Sequence, residues 1–152
     1  MSMDQTEFED FVKANLDLLQ GVHPESETDL AGYEAELGFQ LPKSMKWLLS
    51  TYGYSMACGV ENLEGSVKLT LDCRKSISLP SNILLINDWG DGGVVVAIAE
   101  PNYNNEYPII WSDSADLYRL IEGATLPENV SKFPCFGAWI SDRVEFEKEN
   151  GS

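Results

Sequence analysis

Histidine occurs once, cysteine three times, and basic side chains are scarce, with 10 Lys and Arg against 25 Asp and Glu in 152 residues. With His23 alone, beside Pro24, a Ser-His-Asp or Cys-His arrangement has a single base to draw on, and no nucleophile motif flanks it. One histidine and three scattered cysteines show no zinc-ligand spacing. Gly90-Asp91-Gly92-Gly93 has neither the lysine nor the following helix of a phosphate cradle, so it reads as a turn. No metal, no cofactor and no enzymatic activity are expected. Cys58, Cys73 and Cys135 form no CxxC pair, which reads as reduced thiols in a cytoplasmic chain. Met1 to Leu19 is interrupted by Asp4, Glu7, Glu9 and Asp10, so it is not expected to be a signal peptide, and no apolar run is long enough to span a bilayer.

The charge is unevenly distributed. Residues 1–40 hold 10 acids against Lys13 alone, and residues 41–76 hold 3 acids against 5 bases. Residues 77–132 return to 8 acids against Arg119 and Lys132. A formal net charge of -15 leaves no basic patch with which to neutralise phosphates, so neither nucleic acid nor an anionic membrane is expected as a direct ligand. An acidic surface keeps a protein soluble, and it equally suits docking to a cationic protein.

Apolar residues make up 43% of the chain, enough for one domain spanning 1–152 with a core that needs no staples. Phe8, Phe11, Val12, Leu16, Leu18 and Leu19 fall near helical spacing, stopped by Gly21 and Pro24. Ser26 or Thr28 can cap a second helix carrying Leu30, Tyr33 and Leu37, ended by Gly38. Pro42 suits the first position of a third, whose stripe is Met45, Leu48, Leu49 and Tyr52 and whose left-handed terminator is Gly53. Ser66 to Ser76 fits either a strand or a helix begun by a Ser66 cap, and helix is favoured. Strand runs follow at Ile83 to Asn87, Val94 to Glu100 and Tyr107 to Ser112, too closely spaced for crossover helices, which predicts an antiparallel meander. Asp113 or Ser114 caps a helix with Leu117, Leu120 and Ile121. Phe133 to Ile140 is a last strand or a helix start, and the tail from Ser141 is amphipathic helix. The expected class is α+β, with N-terminal helices packed on the meander and helices at the C-terminus.

Asp88, Asp91 and Asp113 sit at strand ends and could converge on a cation, although turn chemistry and helix capping explain them at least as well. Trp89 and Trp111 are candidate interface anchors or core residues.

The run Glu34 to Gly53, with Leu37-Gly38, Leu41-Pro42, Trp47-Leu48 and Tyr52-Gly53, resembles the E..LG..LP....FL...NG signature that opens the SUKH superfamily, with Tyr52 where Asn is frequent. Ser66-Val67, Thr70-Leu71, Arg74-Lys75, Leu79-Pro80-Ser81-Asn82 and Pro108 to Asp113 extend the resemblance, which covers about residues 30–122. It implies N-terminal helices, an antiparallel sheet and helix for Ser66 to Lys75. Bacterial members are chiefly immunity proteins that bind and neutralise a secreted toxin domain, often a nuclease; the size and tail resemble a bacillus-type antitoxin to an LXG-class toxin. Fungal relatives regulate cell-wall assembly, so an intracellular regulatory or scaffold module is the alternative. Under the immunity reading the partner is a basic toxin domain, and Asp88, Trp89, Asp91, Tyr103, Glu106, Trp111, Asp113 and Asp116, around the sheet and its loops, are the expected contacts.

Overall fold

A computed structural model describes residues 4–55, 57–76, 78–88, 93–98, 107–113 and 131–150. The chain opens with α1 (Gln5–Ala14), begun by a capping box in which Asp4 accepts the N–H of Glu7 while the Glu7 carboxylate accepts that of Asp4. The single helix expected to run to Leu19 is broken at Asn15, whose side chain turns back to the Phe11 carbonyl at 2.8 Å, and α2 (Leu16–Leu19) continues it in a new direction. An asparagine competes for backbone partners in this way, which makes it a weak helix-interior residue. Ser26 provides the cap of α3 (Glu27–Leu37), accepting from Asp29 N–H, and Gly38 ends it at a left-handed φ of 85°.

The turn into α4 (Lys43–Thr51) is fixed by Glu34. Its carboxylate accepts the Leu41 N–H at 2.7 Å and pairs with Lys46 at 3.1 Å, so the glutamate that begins the sequence signature closes the corner between two helices. Pro42 occupies the cap position, one residue before the expected one. Gly53 then takes the left-handed conformation expected of it, with φ 82°. A side chain there would overlap the Val22 backbone, because Val22 and Tyr54 form a short antiparallel bridge that ties the loop after α2 to the loop after α4.

Helix α5 (Leu63–Ser76) is helix, as favoured, but it starts three residues before Ser66. Asn62 accepts the Gly65 N–H in the first turn, and Ser66 is buried inside the helix rather than capping it. Its hydroxyl instead donates to the Ile86 carbonyl at 2.6 Å, while Thr70 Oγ1 accepts the Leu85 N–H at 2.9 Å. Arg74, near the other end of α5, donates to the carbonyls of Leu37 and Ser81 and so joins the end of α3 to the entry of the sheet.

The sheet is the expected meander, β1 (Ile83–Asp88), β2 (Gly93–Ile98), β3 (Ile109–Asp113) and β4 (Ser131–Phe133), in sequence order and antiparallel throughout. Register shifts between Leu85 and Asn87, marking a bulge in β1. Residues 133–140 hold both alternatives in turn: β4 ends at Phe133, and α6 (Phe136–Asn150) begins three residues on. The helix expected after Asp113 lies outside the described residues.

One cluster of buried side chains runs through all these parts, from Phe8 and Val12 through Leu37, Leu48 and Val67 to Ile109, Phe136 and Val144. Within it an aromatic row of edge-to-face pairs links α4, α1 and α6: Tyr52 with Trp47 at 5.7 Å, Trp47 with Phe8 at 5.9 Å, Phe8 with Phe136 at 6.1 Å, and Phe136 with Trp139 at 5.9 Å. Among the described residues no helix is long and apolar enough to cross a membrane.

Candidate protein-interaction surface

Register places Trp111 between Val95 and Ser131, on the sheet face that also carries Ile109 and Phe133. Ile109 is fully buried there, whereas Trp111, two residues farther along β3, remains 42% exposed where the core ends. Of the two readings open to this tryptophan, an interface anchor is the one its exposure favours. Asp88 and Asp113 finish β1 and β3 at the same end of the sheet, flanking Gly93 and Val94 at the start of β2. Trp89, Asp91, Tyr103, Glu106 and Asp116 lie outside the described residues, so the structure brings together Asp88, Trp111 and Asp113 at one end of the sheet.

Helix α6 supplies the neighbouring wall. Its inner side is Phe136, Trp139, Ile140 and Val144, all buried. Arg143 follows Trp139 by one turn, and its guanidinium lies 5.7 Å from the centroid of that indole, a stacked arrangement that immobilises the cation. Trp139 in turn sits against Gly59, whose φ is 76° and where any side chain would overlap the indole, and the Gly59 carbonyl accepts the amide of buried Asn87. A backbone position without a Cβ therefore sets the depth of the tryptophan that carries Arg143.

Arg143 separates two grooves of about 330 Å³ each. One is polar, between the loop after α4 and the end of β1, and is lined by Tyr54, Ser55, Glu61 and Asn87. Burial, followed by the hydrogen bond to Glu25, pushes the Tyr54 phenol well above its ordinary value, so it stays a neutral donor. The other groove is aromatic, lying between the β3–β4 edge and α6, with Trp111, Phe133, Trp139 and Phe146 on its walls.

Among the described residues that line the two grooves there is no histidine and no cysteine. His23 is exposed in the loop before α3 with a positive φ of 57°. Among the described residues no three His, Cys, Asp or Glu side chains gather as metal ligands, and Cys58, Cys73 and Cys135 are not joined in disulfides. What the surface offers is large aromatic area with carboxylates beside it, the chemistry of protein recognition.

The α6 contribution was missed from sequence, although a signal existed. Asp142, Glu145, Phe146 and Glu149 recur at helical spacing and are all exposed. The three carboxylates face away from Phe136, Ile140 and Val144, and Phe146 borders them two turns from Trp139.

The model of the SMI1 / KNR4 family (SUKH-1) matches residues 24–142, from the loop before α3 to the middle of α6. Comparison with curated proteins finds no match to the chain.

Proposed function

The chain belongs to the SMI1 / KNR4 family (SUKH-1), and from that premise we propose that it is an immunity protein that neutralises a cognate secreted bacterial toxin by stoichiometric binding, without chemistry of its own. The observation that carries the reading is the family match over 119 residues, 24–142, joined to an acidic surface on which a tryptophan stays exposed. A nuclease presents a cationic cleft to phosphate, and a protein with a net charge of -15 is attracted to such a cleft. Opposite charge raises association rates toward about 10⁸–10⁹ M⁻¹s⁻¹ at low salt, which suits capture of a lethal enzyme. The proposed partner is accordingly a basic toxin domain, of the LXG class, and the proposed contact includes Asp88, Trp89, Asp91, Tyr103, Glu106, Trp111, Asp113 and Asp116.

Co-expression with the toxin domain encoded beside this gene tests the proposal. Growth should be restored by the wild-type chain, the purified pair should form a one-to-one complex, and its affinity should fall steeply with added salt. Reversing Asp88, Asp91, Asp113 and Asp116 to Lys should weaken binding by at least about tenfold, through the association rate. Toxicity unrelieved by the wild-type chain, or a growth phenotype on deleting the gene where no toxin is present, would instead favour a regulatory module.

A further inference from the structure

Among the described residues, the large hydrophobic side chains that remain exposed are Val22, Trp111 and Phe146, at 60%, 42% and 60%. Trp111 and Phe146 line the same aromatic groove, with Phe133, Trp139, Asp142 and Arg143 completing its walls. Phe146 is not buried with the core side chains of α6. It stands two turns beyond Trp139 on the same helix, next to the stripe of Asp142, Glu145 and Glu149, and stays 60% exposed. Single exposed hydrophobics are ordinary, whereas two that share one concave groove beside buried aromatics have the anatomy of an interface hot spot.

The surrounding charge selects the occupant. Three exposed carboxylates run along the outer stripe of α6, and the cation nearest the groove, Arg143, is held over Trp139. An acidic segment would be repelled by the stripe, and an uncharged apolar one would leave it unmatched.

We infer that this groove receives an apolar side chain, aromatic or long aliphatic, from a partner segment whose flanking residues are Lys or Arg. Trp111 and Phe146 clamp that side chain against Trp139 and Phe133, and Asp142, Glu145 and Glu149 receive the flanking cations. The inference rests on the protein-binding reading and deepens it, extending the contact from the end of the sheet to the outer face of α6 through Trp111, which both share.

Two measurements test it separately from that reading. In the first, ¹⁵N-labelled protein is titrated with a capped peptide carrying a Phe-Leu pair between lysine pairs, and with a counterpart in which glutamates replace the lysines. The indole N–H signals of Trp111 and Trp139 should shift with the lysine peptide, that of Trp47 should not, and the shifts should shrink with salt. The glutamate peptide should leave all of them in place. Phe146→Asp should abolish the response in a protein whose amide spectrum is still that of the folded state, and Phe146→Leu should retain it. Silent indoles, or equal responses to both peptides, overturn the inference.

In the second, the toxin domain is bound to the wild type, Phe146→Asp and Trp111→Ala, and each variant should lose at least about tenfold in affinity. If the wild type binds the toxin and both variants bind equally well, the groove is wrong and the immunity function stands. If the wild type ignores the toxin but seats the lysine peptide in the groove, the immunity function is wrong and the groove stands.

Discussion

The Tyr54 hydroxyl donates to Glu25 Oε1 at 2.6 Å and accepts the Leu63 N–H at 3.1 Å, so one phenol ties the loop before α3 to the start of α5. The bond to Glu25 needs the neutral hydroxyl, and burial together with Glu25 outweighs the opposing pull of the Leu63 N–H and raises the pKa above that of an unfolded tyrosine. The folded state therefore holds this proton more tightly than the unfolded chain does. That contribution is complete below about pH 10, the value for unfolded tyrosine, and is lost as pH rises beyond it, by at most about 1.4 kcal/mol per pH unit. Tyr54→Phe should cost about 1–3 kcal/mol at neutral pH, because Leu63 N–H and Glu25 lose a partner in a partly buried place. It should also flatten the alkaline decline. Urea unfolding of both proteins at neutral and strongly alkaline pH checks the two effects, and parallel curves would show that Tyr54 is not the group that titrates. None of this was legible in the sequence, because the partners of Tyr54 lie 29 and 9 residues away.

Helix α5 shows where sequence reading reaches its limit at the scale of elements. Val67, Leu69 and Leu71 alternate as in a strand, and the choice of helix was settled by resemblance rather than by period. The role of Ser66 was then misjudged, because a serine near a helix start is far more often a cap than a buried donor. Its actual partner is β1, twenty residues on. Ser66 and Thr70 stand one turn apart and meet Ile86 and Leu85, so two small hydroxyls close backbone groups of the first strand that no neighbouring strand reaches. An edge strand left with open donors invites pairing with other chains. Thr70→Val preserves shape and β-branching while orphaning the Leu85 N–H, and Thr70 is fully buried. The expected loss is about 1–3 kcal/mol, read by chemical denaturation, with faster amide exchange at Leu85 than at Val95 in the centre of the sheet. A loss under about 0.5 kcal/mol would mean that the seam is held by packing alone. The meander and the helix stops at Gly38 and Gly53 were legible because turn chemistry is local; the bends at Asn15 and the α5–β1 seam were not, since they depend on what the chain meets in space.

For the whole molecule the net charge of -15 has two consequences of opposite sign. Among the described residues one ion pair is formed, Lys46 with Glu34, so most carboxylates meet the field of other carboxylates rather than a cation. Self-repulsion of this kind destabilises the compact state and is screened by salt, the Debye length falling from about 30 Å at 0.01 M to about 3 Å at 1 M. The melting temperature of the free chain should therefore rise with NaCl over that range, a relief of about 1 kcal/mol corresponding to about 3 °C for a chain of this size. Because salt also strengthens apolar burial, the decisive comparison is with a variant carrying Gln in place of Asp10, Glu36 and Glu61, exposed acids on α1, α3 and the loop before α5. Electrostatic relief predicts a smaller rise for that variant, whereas a salting-out effect predicts an unchanged one. Association with a basic partner should respond in the reverse direction, weakening as salt rises, since the same carboxylates that repel one another attract it. Stability and binding would then separate along one salt axis, and a free chain whose melting temperature falls with NaCl would show that favourable ion pairing, not repulsion, dominates its surface.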